Sequence, residues 1–423
     1  MLYNKTCIGT KTYFSFLGKT FAYVNEHEDF TYYRFLCFRF NIKKSKSDKR
    51  LAKIEKKINL LENKNYLTNN AKLTKRSIFD ECIGKIKDNT VLVVEVNNYH
   101  SELLPGIVYY FTKLGFNVDV LVYYKEFKLN PLGMYNQNEK VRVFSVGQDL
   151  TRCLLSNDIV KNYSYVYFNS DLIDYHYKKI SILEYIEYSV LDRKKCIFMS
   201  HHPDKADFEK NDKVCILGNF DFNGKGRAVQ VLPINFGKIR IKEKHLVTTF
   251  IVVGNIDKKR KNFQMLIDGC EQLLRDGVRN FRIIVVAKQG NFDVPERLKQ
   301  HIEFKGCLSY ASLYRHMMYS DFILSLLDPK IEEHIRYKKS GITGSILLMH
   351  GFRRPCIMEQ SFADTYKLNL SNSVLYETNS QFAVAMKRAI DMTAQEYSRM
   401  QCALSELSME LIDDSLNNLK KIM

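Results

Sequence analysis

The sequence predicts an α/β protein: two doubly wound, parallel-sheet halves facing a cleft, with a small β/helical appendage in front. Three observations carry this reading. From residue 90 onward, short apolar runs alternate with amphipathic segments, the signature of β-α-β units. The alternation pauses at "VLPINFGKIRIKEK" and restarts near residue 246. Residues 1–88 follow neither pattern. The divisions expected are therefore an appendage at 1–88, a first half at 89–240, a second half at 241–398 and a C-terminal helix at 399–423. The 423 residues also exceed what one core usually holds, roughly 250–300.

The appendage opens with a faint repeat. "TYFSFLGKTF" (12–21) and "TYYRFLCFRF" (31–40) match at Thr-Tyr-aromatic-x-Phe-Leu. Both are β-favouring aromatic runs, so paired strands are expected. Further on, Leu51, Ile54, Ile58 and Leu61 alternate spacings of three and four, the seam of a short amphipathic helix.

In the first half, "TVLVVEV", "FNVDVLVYY", "VRVFSV", "SYVYFN", "KCIFMS" and "VQVLPI" read as strands, and "LLPGIVYYFTKLG" as a helix. In the second, "LVTTFIVVG", "FRIIVVA", "IEFKG", "DFILSLL" and "PCIME" read as strands. "NFQMLIDGCEQLLRDG", "SYASLYRHMMYS" and the apolar run after Gly344 read as helices, as do "SQFAVAMKRAIDM" and the amphipathic segment that ends the chain.

Net charge is +17, and its placement is uneven. Residues 1–90 hold 19 Lys/Arg against 9 Asp/Glu, a surplus of 10 in about a fifth of the chain. A basic segment rich in Tyr and Phe suits an anionic membrane face or a nucleic acid, or else is a solvated surface that binds nothing in particular; membrane contact through residues 1–60 would be weak and reversible. The 10 Cys form no CxxC pair and have no His at zinc spacing, which points to free thiols and a cytoplasmic location. No run is long enough for a membrane span. No metal is expected: there is no DxD, and the adjacent His201 and His202 lack a spaced third ligand.

Ligands of open parallel sheets sit at the carboxyl ends of the strands. After "FIVVG" comes "NIDKKRKN", which places Lys258, Lys259, Arg260 and Lys261 at a strand end, just before a helix capped by Asn262. Further on, Gly341 and Gly344 bracket Ile342 and Thr343 directly ahead of an apolar helix. Free amides of Gly344, Ser345 and Ile346, with the hydroxyls of Thr343 and Ser345, would face whatever lies over that helix start. Cations from one loop and amides from another suit a nucleotide diphosphate. In the first half, the loop after "VVEV" lacks GxGxxG but offers His100 and Glu102 at a strand end, where a general base could take a proton from an acceptor hydroxyl. His201 and His202 follow another strand and could contact acceptor or phosphate.

The order "VVGNIDKKRKN", "IEFKGCLSYASLY", "SDFILSLLDP", "GITGSILLMHGFRRPCI" over residues 249–400 resembles the donor-binding half of GT-B-fold glycosyltransferases, the two-Rossmann-domain transferases of bacterial surface polysaccharides such as the group 1, family-4-like enzymes. The resemblance implies a nucleotide sugar in the second half and a saccharide, often lipid-linked, in the first, with no other cofactor and no nucleic-acid partner. It implies that Lys261, with Arg260 and Asn255 nearby, neutralises the donor diphosphate, and that Thr343, Gly344 and Ser345 hold it. The pattern departs from the pair of glutamates eight residues apart that many retaining members carry. Glu332 and Glu333 stand in the first region, but Ser340 and Gly341 follow eight on. Glu333, His334 and Tyr337 are left as candidates for sugar or base contacts. The aromatic runs of the appendage loosely resemble segments that precede the catalytic part in some of these transferases.

Two other readings stay open on the sequence. A nucleotide-sugar epimerase would use the same cradle without an acceptor. A non-enzymatic adaptor for membrane or nucleic acid would draw on the basic N-terminus alone and bind no nucleoside diphosphate.

Overall fold

The computed structural model describes five backbone strands within residues 3–43 and, from residue 83, all but 176–177, 183–189, 204–212, 221–224 and 289–291. The helix expected around 51–61 lies outside the described residues. Strands β1 (Tyr3–Ile8), β2 (Lys11–Phe16), β3 (Lys19–Glu26), β4 (Phe30–Phe35) and β5 (Phe38–Lys43) form an antiparallel meander. The repeat falls on paired strands: its first copy runs from β2 into β3 and its second from β4 into β5, each pair antiparallel.

The first half is a seven-stranded parallel sheet with two short additions. Its strands are β6 (Thr90–Glu95), β7 (Asn117–Tyr123), β8 (Val141–Val146), β9 (Tyr165–Phe168), β12 (Cys196–Ser200), β13 (Val214–Ile216) and β14 (Ala228–Gln230). A small hairpin, β10 (Leu172–Tyr175) and β11 (Lys178–Ser181), stands apart. The spatial order β14-β13-β12-β9-β6-β7-β8 reverses direction between β6 and β9. Helices α1 (Leu104–Lys113), α2 (Tyr124–Phe127) and α3 (Gln148–Leu155) connect the early strands. The sequence reading lacks β13, and "VQVLPI" is strand only at its start, because the chain leaves the sheet after Gln230.

The second half is a six-stranded parallel sheet: β15 (Thr248–Val253), β16 (Phe281–Val286), β17 (Ile302–Gly306), β18 (Phe322–Leu324), β19 (Cys356–Glu359) and β20 (Val374–Tyr376). Its order, β17-β16-β15-β18-β19-β20, reverses between β15 and β18. Around it lie α4 (Phe263–Arg275), α5 (Tyr310–Tyr319), α6 (Glu332–Lys339), α7 (Gly344–Phe352), α8 (Gln360–Ala363), α9 (Phe382–Asp391) and α10 (Ala394–Ile422). Both sheets therefore have the doubly wound arrangement, in which a crevice opens beyond the carboxyl ends of the strands that flank the reversal. Each has a buried apolar cluster on either face.

Two helices tie the halves together. Helix α7 is largely apolar on every face and is buried from Ser345 to Phe352, as suits a helix packed on every side. Leu347 joins the core of the first half, while Ile346, Leu348 and Met349 join that of the second. Gly351 lets the inter-half segment press against α7: a Cβ there would overlap the Phe236 ring and lie 3.1 Å from the Ile234 carbonyl oxygen. Helix α10 starts on a capping box, with Thr393 and Glu396 each bonding the other's backbone N–H. It buries Tyr397 and Met400 in the second half, then Leu411, Ile412 and Leu419 in the first.

Gly351→Ala is expected to cost about 1–3 kcal/mol by overpacking the seat of α7. A drop in Tm measures this, and an unchanged Tm would show that the segment around Phe236 yields freely.

Candidate active site

The loops after β15 and β18 flank the reversal of the second sheet, and the start of α7 faces them. The chain leaves β15 at Gly254, whose φ of 113° suits glycine, and a Cβ there would touch Lys261 Cε at 3.4 Å. A turn follows, with the backbone N–H groups of Arg260 and Lys261 both donating to the Asp257 carbonyl. This turn folds Lys261 back under the strand end. Its side chain is only 3% exposed, and Nζ donates to the Ser325 carbonyl at 3.3 Å and to Ser345 Oγ at 3.1 Å. Among the described residues no carboxylate pairs with it. Burial, aided by the Arg260 charge, pushes its pKa down to about 8.

The cationic loop and the helix start thus meet at a hydrogen bond, although the other cations do not follow Lys261 inward. Arg260 is exposed and lies 4.0 Å from Asp257, while Lys259 pairs with Glu333 at 3.6 Å. Asn255 is half-buried on the same loop. Asn262 caps α4 by accepting from the Met265 N–H, and its Nδ2 donates to Asp328 at 2.7 Å. That bond joins the β15 loop to the β18 loop, where Leu326 is held at a φ of 52°.

At α7 the amides divide. Ile346 N–H is taken by the Thr343 carbonyl at 2.9 Å, so the expectation that it stays free is corrected: the first turn closes on itself. The N–H groups of Gly344 and Ser345 have no acceptor among the described residues. The Thr343 hydroxyl makes no capping bond. The Ser345 hydroxyl is not open to a ligand, since it receives Lys261 and donates to the Val253 carbonyl at 3.2 Å.

Residues 332–339 form a helix, α6, where an acidic loop was expected. His334 and Tyr337, three apart, share its buried face, and Glu333 points outward. The Tyr337 hydroxyl is occupied by Arg336 at 2.9 Å and its ring belongs to the core. His334 is fully buried, and its Nδ1 accepts from the Asp328 N–H at 2.9 Å. Burial, with a contribution from the Lys261 charge that the Asp328 carboxylate opposes, lowers its pKa. The ring is therefore neutral with its proton on Nε2, an atom that has no partner among the described residues.

In the first half, the loops after β6 and β9 flank the reversal. His100 stands at a φ of 67°, stacked on His201 with ring centroids 3.6 Å apart. Its Nδ1 is 3.8 Å from Glu102 Oε1. For Glu102, burial would raise the pKa, but His100 and Lys288 outweigh it and the carboxyl sits below its ordinary range. His201 donates Nε2–H to the Asn169 carbonyl at 2.9 Å, and burial beside His100 pushes it well below the imidazole range. His202, next to it, is half-buried.

Glu95, a residue the sequence reading did not single out, anchors this corner. It is buried at the end of β6 and accepts from the Asn97 N–H, Asn169 Nδ2 and Ser170 Oγ at 2.7–2.9 Å. Burial raises its pKa despite those bonds. A lone glutamate closing an otherwise apolar strand, "TVLVVEV", was the signal available. Across the cleft, a Cβ on Gly344 would stand 3.9 Å from Glu102 Oε1, so the α7 start and the His100–Glu102 loop face each other.

The sequence matches no protein-family model and no curated protein. Solved structures do share its architecture. A glycosyltransferase from Rickettsia africae ESF-5 superposes with a TM-score of 0.50 at 14% identity, covering 80% of this chain and 99% of that one. An alpha-glucosyltransferase solved with UDP and a 13-mer DNA gives a TM-score of 0.52 at 11% identity, covering 78% and 100%. The chain has the GT-B fold. At such identities the likeness speaks for architecture alone. Within the GT-B frame the geometry above fills both sides of the cleft, with a buried cation and a helix start on one and a histidine–carboxylate pair on the other. Among the described residues no helix is long and apolar enough to cross a membrane.

Lys261 supplies a stability test. Its pKa falls from 10.5 to about 8 on folding, so between those values the unfolded chain holds more protons and stability rises with pH. Lys261→Met should stabilise the ligand-free protein at pH 7. The advantage over wild type should shrink between pH 8 and 10.5, by at most about 1.4 kcal/mol per unit. Urea unfolding of both proteins across that range measures it; a constant difference would contradict the buried, unpaired ammonium.

Proposed function

We propose that the protein is a glycosyltransferase that moves a sugar from a nucleoside-diphosphate sugar to a saccharide acceptor. One observation carries this reading: a buried ammonium without a carboxylate partner among the described residues, 3.1 Å from a serine in the first turn of a helix whose leading amides lack acceptors. Burying an uncompensated charge is costly, and an anion that recruits both the charge and the amides offsets it. A diphosphate has the size and charge to bridge them.

In the reaction the bond from the sugar carbon to the diphosphate oxygen breaks, and its electron pair stays on that oxygen. The acceptor hydroxyl oxygen forms the new bond, and its proton passes to a base. Lys261 and the amides of Gly344 and Ser345 would stabilise the charge that grows on the leaving diphosphate, an effect often the largest in such catalysis. His100 and Glu102, across the cleft, would receive the proton, with His201 stacked on His100 and His202 next to it in the chain. Asn255 and Arg260 share the loop of Lys261 and would face the donor, whereas His334 Nε2 is buried. The nucleotide sugar is a substrate, and the reading calls on no further cofactor or metal.

The basic, aromatic residues 1–60 support a lipid-linked acceptor at an anionic membrane face, within cell-surface polysaccharide synthesis. Two acylated or polybasic signals are usually needed for stable attachment, so contact through this segment alone would be reversible.

Calorimetric titration with UDP, with GDP and CDP as comparators, tests the donor side. Lys261→Met should weaken the preferred diphosphate roughly 10–100-fold, the loss of a charge-assisted bond of about 1.5–3 kcal/mol. Arg260→Ala should weaken it less than about threefold, since that side chain is exposed and already faces Asp257. Unchanged affinity in Lys261→Met would remove the basis of the assignment.

A further inference from the structure

A second polar cluster spans the cleft beside His100 and Glu102. Glu126, in α2 of the first half, is 3% exposed and accepts from Ser101 Oγ at 2.6 Å and from Lys288 Nζ at 2.7 Å. Lys288 follows β16 of the second half and also reaches the Asn98 carbonyl at 3.4 Å. Tyr310, which opens α5 of the second half, lies with its hydroxyl 2.9 Å from Ser101 Oγ and donates its backbone N–H to the Leu129 carbonyl at 3.0 Å. Ser101 and Tyr310 are buried. Each of these contacts reaches across from one half to the other or feeds one that does.

The contacts grip one loop at two points, Asn98 and Ser101. Between them sits His100, a non-glycine residue in the left-handed region, a conformation that persists only where its surroundings over-determine it. Lys288 also helps to hold the Glu102 carboxyl ionised. We propose that Lys288 and Tyr310, carried by the donor half, are positioning residues that fix the 97–103 loop through Asn98, Ser101 and Glu126 when the halves close. The groups that receive the acceptor's proton are then set in place only in the closed molecule, which excludes water from a half-assembled site. The purpose of the loop rests on the transferase reading; the cross-cleft grip does not.

The test uses full-length protein in three forms, Lys288→Met, Tyr310→Phe and the conservative Lys288→Arg. The readouts are hydrogen exchange of the 97–103 segment, small-angle scattering and calorimetric affinity for UDP. Lys288→Met should speed exchange in the segment by about tenfold or more and raise the radius of gyration, because the grip is lost in the open form. Tyr310→Phe should move both in the same direction, and Lys288→Arg should restore both. UDP affinity should stay within about threefold of wild type, since Lys261 and α7 are untouched. Exchange and scattering equal to wild type in Lys288→Met and Tyr310→Phe would overturn the proposal. If they shift while wild-type protein binds no UDP, the grip stands and the transferase reading falls. If UDP binds throughout but the loop is unmoved, the reverse holds.

Discussion

An ammonium buried without a counter-charge among the described residues organises this molecule. Lysine is almost never fully buried unless paired, and its burial here pulls its pKa down to about 8. The surrounding structure is arranged to tolerate that state. Gly254 opens the strand end so that the side chain can lie against it, the Asp257 turn folds the backbone inward, and two neutral oxygens accept from Nζ. Such a site is poor for stability and good for an anion.

The two halves are not merely adjacent. Helix α7 belongs to both cores, α10 runs from one to the other, and the Glu126 cluster closes the gap near His100. These contacts set the distance between Lys261 with the α7 start and the histidine–carboxylate pair. In a transfer reaction that distance matters as much as the groups themselves, because misplacement of about 1 Å can cost two orders of magnitude in rate.

Much of this was legible in the sequence. Long apolar strands and amphipathic helices announce themselves by period, so both sheets and the break near residue 240 could be read directly. Lys261 and Gly344 stood out because a cation cluster after a strand-glycine and a glycine pair before a helix each carry a local physical meaning. What escaped was tertiary. β13 is three residues long, too short for any period. Helix α6 has few apolar residues, so His334 and Tyr337 looked like loop residues when their shared face is buried. That Arg260 stays outside while Lys261 turns inward depended on the Asp257 turn, and the reach of α10 across the halves depended on where the first sheet lies.

A crystal structure of the protein with UDP decides whether Lys261 and the start of α7 share one ligand. Phosphate oxygens should lie within hydrogen-bonding distance of Lys261 Nζ and of the Gly344 and Ser345 amides at once. A diphosphate bound elsewhere, or held by exposed cations such as Arg260 while Lys261 keeps only its Ser325 and Ser345 partners, would contradict it.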